Sequence, residues 1–264
     1  MSIPAVTDLD TLEGLMDLAW PALETSTAQG WLLRSAGSVT QRANSVWPQT
    51  CPADLSGALT EATNWYAARR QPVIFQLTHR PENAALEDFL DGHHYSRQSE
   101  TIIMTAGAGS RRQVDPEHRI VLDDAPSQEW LELWWSIDGR GGAPERAIAR
   151  SIMLGAPSVY ASAIDEQGRT VGTGRLALPG TDAGLGWGGI YSMAVHPALR
   201  RQGVAASIVD ALLAAGSDAA RSDYWLMVTA ANTGAQELYG RAGFAELGRY
   251  HYRQAPLRRA PSAC

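Results

Sequence analysis

The stretch that decides the fold is Ile190-Tyr-Ser-Met-Ala-Val-His-Pro-Ala-Leu-Arg-Arg-Gln-Gly-Val-Ala-Ala206. It begins as an apolar strand, and apolar residues at helical spacing follow from Val204 onward. The sequence therefore predicts a strand that leads through a glycine-containing loop into the first turn of a helix. The free N–H groups and the dipole of such a helix start attract anions, and Gly203 lets a ligand approach the backbone. With Arg200 and Arg201 alongside, the loop predicts a pyrophosphate site, although a tight turn alone also explains the glycine.

A second informative segment is Asn232-Thr-Gly-Ala-Gln-Glu-Leu-Tyr-Gly-Arg-Ala-Gly-Phe244. Arg200-x-x-Gly203-x-Ala205 resembles the pyrophosphate-binding signature of the Gcn5-related N-acetyltransferase (GNAT) family. Asn-x-x-Ala…Leu-Tyr-x-x-x-Gly-Phe resembles the signature of that family's fourth helix. The resemblance covers about half the chain, from Arg119 to Arg253. It implies the acyl-CoA N-acyltransferase (GNAT) fold, an α/β fold with a mixed central sheet flanked by helices.

The resemblance implies a role for each matching position. The strand end Met193-Ala194-Val195 is expected to hydrogen-bond the pantetheine arm of acetyl-CoA through its backbone. Asn232 is expected to touch the cofactor arm or to hold the neighbouring strand end. Tyr239 is expected to point its hydroxyl at the thioester sulfur. The pyrophosphate is expected to lie on the loop and the first helical turn, formed by Arg200, Arg201, Gln202, Gly203, Val204, Ala205 and Ala206.

The implied reaction uses acetyl-CoA as co-substrate, without a metal. An amine attacks the thioester directly, and backbone N–H groups stabilise the developing oxyanion. A phenol, whose reference pKa is about 10, can protonate the departing thiolate; a tyrosine ring that simply fills the core is the alternative explanation of Tyr239.

The general base is not evident in the sequence. Family members often carry a glutamate on the fourth strand, whereas the segment Gly189–Ser192 contains no carboxylate. A water chain that ends at Tyr191, Ser192 or a backbone carbonyl is one alternative. An acceptor amine of low pKa is the other.

Composition excludes several classes of function. All 22 basic residues are arginine, which excludes mechanisms that need a lysine, such as Schiff-base and P-loop chemistry. A net charge of −6 at pH 7 argues against a nucleic-acid-binding surface. The first twenty residues carry four carboxylates, unlike a signal peptide, and no uncharged apolar run is long enough to span a membrane. These features predict a soluble, cytoplasmic protein with no nucleic-acid or membrane partner, and they allow a homodimer.

The domain organisation follows from a change in composition. Residues 107–118 are small and polar, as in a linker. We expect a degenerate GNAT-like domain at 1–106, the catalytic GNAT domain at 119–256 and a flexible tail at 257–264.

The N-terminal part also has features of an internal repeat. It lacks an Arg-x-x-Gly-x-Gly/Ala motif, and Leu90 stands where the second half has its tyrosine. Any strand–helix–strand unit produces some likeness of this kind. Three pairs of positions nevertheless align at one offset of 149: Asn83 with Asn232, Phe89 with Leu238, and Tyr95 with Phe244.

Other polar and aromatic groups have two explanations each. The segment Arg42–Ser45 either lines a substrate cleft or makes buried turn hydrogen bonds. The tryptophans within Trp130–Trp135 form a core stripe or an aromatic floor for the acceptor. His79, His93 and His94 have no third ligand at metal-binding spacing, so we interpret them as surface residues.

Three functional hypotheses result. The leading one is an N-acetyltransferase that acts on the primary amine of a small molecule. The second is a protein acetyltransferase that acts on lysine side chains or N-termini. The third is a non-catalytic, acyl-CoA-binding regulatory module.

Overall fold

A computed structural model of the protein describes residues 9–107, 118–180 and 186–256. The chain divides into two compact units. The larger unit consists of Met1–Pro21 and Ile102–Gly248, and the smaller unit of Ala22–Thr101 and Arg249–Cys264. None of the helices in the described ranges is long and apolar enough to cross a membrane.

The larger unit begins with one helix from the start of the chain and continues with the alternating elements of the second half. The elements are α1 (Leu9–Ala19), the end of β5 (Ser96–Gly107), β6 (Arg119–Asp123), α4 (Gln128–Asp138), α5 (Ala143–Leu154), β7 (Ser158–Ile164), β8 (Thr170–Ala177), β9 (Trp187–Val195), α6 (Val204–Asp218), β10 (Asp223–Thr229), α7 (Thr233–Arg241) and the start of β11 (Ala245–Gln254). Helix α6 begins at Val204, where the predicted helical spacing of apolar residues begins.

The sheet of the larger unit is mixed. Strands β6 to β9 form an antiparallel meander, and β10 then pairs with β9 in parallel. The β7–β8 turn is held by Asp165 Oδ1, which accepts from the backbone N–H groups of Gln167 and Arg169 at 3.0 and 2.8 Å. Gly168 completes this turn with φ of +79°, a value that favours glycine. This order of strands and helices is the predicted acyl-CoA N-acyltransferase fold.

Helix α6 packs closely on one face of this sheet. A Cβ on Gly174 would lie 2.5 Å from Ile208 Cγ2, and one on Gly172 would lie 2.7 Å from Val204 Cγ1. Because β8 has glycine at both positions, α6 can approach the strand directly, and Ile208 and Leu212 are completely buried. This packing determines where the first turn of α6 lies relative to β9.

The smaller unit contains the rest of the described elements. Its core is built from Trp31, Tyr66, Phe75 and neighbouring aliphatic residues. The elements are β1 (Glu24–Ala28), β2 (Trp31–Ser35), β3 (Val46–Pro48), α2 (Leu55–Ala68), β4 (Ile74–Thr78), α3 (Ala84–Gly92), the start of β5 and the end of β11.

The same order of pairings occurs in both units, as an internal repeat predicts. In the smaller unit β2 and β3 are antiparallel and β3 and β4 are parallel. In the larger unit β8 and β9 are antiparallel and β9 and β10 are parallel. A helix connects the parallel strands in each case: α2 in the smaller unit and α6 in the larger one.

The two compact units contain other segments than the two domains predicted on either side of the linker 107–118. Helix α1 belongs to the larger unit although it lies in the first part of the chain, and Arg249–Gln254 of β11 belongs to the smaller unit. Strand β5 runs to Gly107. Residues 108–117 of the predicted linker and the predicted tail 257–264 lie outside the described residues.

Two residues of the polar segment Arg42–Ser45 make buried hydrogen bonds in the smaller unit. Asn44 Oδ1 accepts from the N–H groups of Ala36 and Ser38 at 2.7 and 2.8 Å. Ser45 Oγ accepts from the Arg34 guanidinium at 2.9 Å. The turn explanation therefore accounts for Asn44, and the buried Arg34 accounts for Ser45.

Candidate functional site

The most distinctive feature of the larger unit is the separation of β9 from β10. Their parallel pairing extends from Trp187 with Asp223 to Ile190 with Leu226. In the part of the chain that the structure describes, no residue of β10 pairs with the following segment, Tyr191–Val195. The predicted pantetheine-binding residues Met193, Ala194 and Val195 therefore lie where the two strands have diverged.

A β-bulge explains the separation. On β9, Tyr191 is opposite Arg175 and Ala194 is opposite Thr173, so that two residues face the single Gly174. Ser192 has φ of +53°, and its carbonyl accepts from Thr173 Oγ1 at 3.1 Å. An extra residue bends a strand and increases its twist. The bulge therefore turns the end of β9 away from β10 and opens a slot for an extended ligand.

The loop after β9 leads into α6 as the sequence predicts. Arg201 and Gly203 have φ of +65° and +79°, and Gly203 is the N-cap of the helix. The first helical hydrogen bond joins Ser207 N–H to Gly203 O at 3.0 Å. A glycine cap has no side chain that could accept from the first N–H groups of the helix. The N–H groups of Val204, Ala205 and Ala206 are therefore available to an anion.

Side chains around this loop hold its shape. His118 Nε2 donates to Gln202 O at 2.8 Å, and the Gln202 side chain donates to Ala198 O at 3.2 Å. Arg200 Nε donates to Val195 O at 3.3 Å. Because Arg200 and Arg201 are both exposed, their charge is available to a phosphate group.

Tyr239 is buried on α7, in the core cluster that also contains Val228 of β10. It is 7% exposed, and its ring lies edge-on to Phe244 at 6.1 Å. In residues 9–107, 118–180 and 186–256, its hydroxyl has no hydrogen-bond partner, so it can donate to a ligand. Burial, together with the negative charge of Asp138, raises the pKa of Tyr239 to about 12. The phenol therefore stays protonated at physiological pH, as a general acid must.

Asn232 is an exposed residue that caps α7, and its Oδ1 accepts from Ala235 N–H at 3.1 Å. The strand end beside it is held by Gln236, whose Nε2 donates to Thr229 O and Ala230 O at 3.2 and 2.9 Å. Sequence reasoning missed Gln236, because a glutamine inside a predicted helix has no signal of its own. A role of Asn232 toward the cofactor stays a prediction.

The two side chains considered for a proton path, Tyr191 and Ser192 on β9, both contact other side chains. Tyr191 is 5% exposed, and its hydroxyl accepts from Trp225 Nε1 at 3.1 Å. Its ring stacks on Trp20, with centroids 5.7 Å apart. Ser192 Oγ lies 3.8 Å from Met153 Sδ. Asp138, at the end of α4, is the carboxylate whose negative charge contributes to the raised pKa of Tyr239.

A buried arginine supports this face of the sheet, and sequence reasoning missed it. Arg175 on β8 has no exposed surface. It donates to Ala19 O, Met153 O and Ser158 Oγ at 2.9, 2.8 and 3.0 Å. Its guanidinium lies 5.6 Å from the Tyr191 ring centroid, so it joins α1 and α5 to β9.

The tryptophans of α4 are mainly core residues. Trp130 is completely buried and Trp134 is 4% exposed, whereas Trp135 is half-buried. Trp134 meets Trp20 edge-on at 6.4 Å. The core interpretation therefore accounts for Trp130 and Trp134.

A groove between α6 and α7 continues from the end of the predicted phosphate loop. Its volume is about 250 Å³. It is lined by Ala206, Val209, Asp210, Leu213, Leu238, Arg241 and Ala242.

Within the described ranges, no group of three or more His, Cys, Asp or Glu side chains is arranged to hold a metal ion. His79 and His94 are exposed. His93 Nδ1 bonds to Phe89 O at 2.8 Å.

The smaller unit has no equivalent anion site at its matching helix. The N-cap of α2 is Asp54, whose Oδ1 accepts from Gly57 N–H at 2.9 Å. A carboxylate thus occupies the position that a phosphate takes at a glycine-capped helix. Leu90, which replaces the tyrosine, is completely buried.

Proteins described as acetyltransferases are similar to this chain in sequence. The family described as "Probable histone acetyltransferase Rv0428c C-terminal" matches residues 7–253. The chain is 27% identical over 252 residues to "Uncharacterized N-acetyltransferase YobR" of Bacillus subtilis (strain 168), covering 93% of this chain and 98% of that protein.

Solved structures share the fold. A GCN5-related N-acetyltransferase from Kribbella flavida superposes with a TM-score of 0.70 at 16% identity, covering 96% of this chain and 97% of the other. A tandem GNAT protein from the clavulanic acid biosynthesis pathway superposes with a TM-score of 0.64 at 10% identity, covering 98% and 91%.

Proposed function

The chain belongs to the Gcn5-related N-acetyltransferase family, and from this membership we propose that it transfers the acetyl group of acetyl-CoA to the primary amine of a small molecule. The observation that supports the proposal best is the opening of β9 from β10 directly before the glycine-capped start of α6. It brings a slot for an extended arm and an anion site into one chain segment. We also propose a cytoplasmic location, where acetyl-CoA is available.

Each part of the co-substrate has a suitable partner. The backbone of Met193–Val195, which no longer pairs with β10, suits the amide groups of pantetheine, because an extended amide chain can bond to an open strand edge. The N–H groups at the start of α6 and the exposed Arg200 and Arg201 suit the pyrophosphate. The groove that begins at Ala206 and includes Arg241 suits the rest of the nucleotide.

The chemistry follows from the same groups. The neutral amine attacks the thioester carbonyl, a C–N bond forms, and the negative charge on the carbonyl oxygen is stabilised by backbone N–H groups of the bulged strand. The C–S bond then breaks, Tyr239 gives its proton to the sulfur, and the proton that the amine nitrogen loses passes through water to restore the Tyr239 phenol. Its high pKa keeps that proton available throughout the physiological range.

A protein substrate and a non-catalytic role are the alternatives. The family description names a probable histone acetyltransferase, so lysine side chains have to be tested beside small amines. A binding module without catalysis is less well supported, because Tyr239 has a hydroxyl with no partner in the described part of the chain.

The experiment is an acetyl-transfer assay with a panel of amines. Purified protein is incubated with acetyl-CoA and each acceptor, and both free thiol and the N-acetylated product are measured, the latter by mass spectrometry. The panel contains small primary amines and a lysine-containing peptide. We expect thiol and N-acetyl product in equal amounts with a small amine. Binding of acetyl-CoA without product from any acceptor would favour the binding module.

A further inference from the structure

We propose that strand β6 is a dimerisation edge, at which it pairs antiparallel with β6 of a second copy of this chain about a two-fold axis at Val121. Neither the acetyl-CoA site nor the acceptor takes part in this pairing. Three features of Arg119–Asp123 support it: an open backbone edge, opposite charges at the two ends of the strand, and an exposed leucine between them.

Strand β6 has an open backbone edge. It pairs with β7 on one side along its whole length, from Arg119 with Ile164 to Asp123 with Tyr160. In residues 9–107, 118–180 and 186–256, no strand pairs with its other side. A strand with a free side presents N–H and C=O groups that an added strand can satisfy. Strand β6 is therefore able to accept one further strand over all of its residues.

The sequence of β6, Arg-Ile-Val-Leu-Asp, is complementary to itself in the antiparallel direction. When two copies align with Val121 opposite Val121, Arg119 of each copy lies opposite Asp123 of the other. Directly opposed side chains are about 4.5–5.5 Å apart at Cβ, so both pairs of opposite charges can form ion pairs. A parallel alignment in the same register would place like charges opposite each other, which is unfavourable. The charges therefore select the two-fold, antiparallel arrangement, which closes as a dimer.

The two end residues of β6 are available to such a partner. Arg119 and Asp123 are both exposed, and within the part of the chain that the structure describes neither side chain makes a hydrogen bond or an ion pair. Elsewhere in the larger unit, the exposed Arg169 is already paired with Asp165 at 2.7 Å. Pairing of β6 with a second copy therefore breaks no ion pair that the structure shows within the chain.

The apolar residues of β6 also match in this alignment. The alternation of the strand places Ile120 and Leu122 on one face and Val121 on the other. Ile120 packs against the core cluster around α6, whereas Leu122 is 42% exposed. In the antiparallel pair, Leu122 of each copy lies opposite Ile120 of the other. The pairing therefore covers an apolar side chain that the single chain leaves in water, which is favourable.

The test is charge reversal at the two ends of β6, measured by sedimentation of the full chain over a range of protein concentrations. Because a strand pairing of this length is a small interface, we expect half of the wild-type chains to be dimeric at about 10–100 µM. Arg119→Glu opposes two carboxylates and Asp123→Arg opposes two guanidinium groups, so each variant should dimerise about tenfold more weakly or less. Arg150→Glu, at an exposed position on α5, changes the net charge as Arg119→Glu does and should leave dimerisation unchanged.

Mixing the two variants gives the most specific measurement. In a mixed pair the Arg119→Glu and Asp123→Arg positions oppose each other, and the unchanged Asp123 opposes the unchanged Arg119, so that both ion pairs form again. We expect the mixture to form heterodimers with an affinity within about threefold of the wild-type value, and the double variant to form homodimers likewise. Because both variants must be folded to pair, this recovery excludes unfolding as the cause of the weaker dimerisation.

Three results would overturn the dimer at β6. A wild-type chain that stays monomeric at every concentration would leave this edge to another kind of partner. Charge reversals that behave like Arg150→Glu would place any dimer contact elsewhere on the chain. A mixture that forms no heterodimer, although both variants have wild-type melting curves, would exclude the alignment at Val121. None of these results bears on acetyl transfer, because neither Arg119 nor Asp123 belongs to the proposed acetyl-CoA site.

Discussion

At the scale of single residues, Tyr239 combines a packing role and a chemical one, and these can be separated. Tyr239→Phe removes only the hydroxyl, which has no hydrogen-bond partner within the described chain, and leaves the ring contact with Phe244. We expect kcat to fall about 100-fold, the lower end of general-acid catalysis, because a thiolate is already a fair leaving group. The acetyl-CoA KM should change little, since the bond develops mainly in the transition state.

The control for Tyr239→Phe is its melting curve, which should agree with the wild-type curve within a few degrees. If Tyr239 only fills the core, kcat is preserved instead. Wild-type kcat in the variant, measured where chemistry limits the rate, would remove Tyr239 from the mechanism and favour the binding-module hypothesis.

The residues of the site differ in how far the sequence reveals them. Gly203 and Tyr239 belong to local motifs, in which strand, loop and helix follow each other along the chain. Arg175 and Asp138 have no such signal. Arg175 binds the carbonyl of Ala19, and the charge of Asp138 raises the pKa of Tyr239; both partners are distant in sequence. A single sequence contains no information on such pairs, and so neither Arg175 nor Asp138 could be predicted.

At the scale of elements, the two matching helix starts differ in charge. Helix α6 begins at Gly203, whereas α2 begins at Asp54, whose carboxylate caps the helix. We therefore expect Gly203→Asp to weaken acetyl-CoA binding, because it brings a negative charge to the anion site. Gly203→Asn is the matched control, since asparagine has nearly the same shape and also tolerates positive φ.

In calorimetric titration, Gly203→Asp should bind acetyl-CoA about 10- to 100-fold more weakly than Gly203→Asn. Backbone strain affects both variants equally, so the difference between them reports the charge alone. Equal affinities in two folded variants would contradict the assignment of the pyrophosphate to this loop.

Strand β11 brings a buried histidine against α3 and β4 in the smaller unit. His251 is 1% exposed; its Nδ1 lies 2.9 Å from His79 Nε2, and its Nε2 lies 2.8 Å from Glu87 Oε1. Burial, together with the charges of Arg97, His79 and Arg253, lowers the pKa of His251 to about 4, against the opposing effect of Glu100.

The lowered pKa predicts a pH-dependent stability. Between about pH 6.5 and 4 the unfolded chain binds a proton at His251 that the folded chain does not, so stability falls as the pH falls through this window. The loss is at most about 3 kcal/mol. Chemical denaturation at several pH values should show a smaller slope for His251→Gln than for the wild type. Identical slopes would mean that His251 is protonated equally in both states.

At the scale of the whole molecule, the sequence predicts the elements better than their assignment to units. The start of α6 at Val204 agrees with the prediction because the apolar spacing that predicts it is local. The assignment of α1 to the larger unit depends on tertiary contacts, such as that of Ala19 O with Arg175. The pairing of β11 with β4 likewise joins residues far apart in the chain. The local periodicity of apolar residues predicts neither of these two contacts.

The last prediction concerns residues 107–264 expressed alone. This fragment lacks Ile102, Met104 and Ala106, which belong to the core around α6, and it lacks Trp20 and the Ala19 carbonyl that Arg175 binds. Loss of one buried large side chain costs about 3–5 kcal/mol, and a domain is stable by only about 5–15 kcal/mol. A buried guanidinium without its acceptor adds to the loss.

We therefore expect the 107–264 fragment to be poorly soluble or to melt well below the full chain, and to expose apolar surface that binds a hydrophobic dye. The experiment compares melting curves, dye binding and acetyl transfer of the two proteins at equal concentration. Addition of saturating acetyl-CoA distinguishes a fragment that is only less stable from one that has lost its binding site. The ligand raises the melting temperature of the first and not of the second. A fragment with the full stability and activity of the whole chain would show that α1 and β5 are dispensable to the fold of the larger unit, and would make the first part an unrelated appendage.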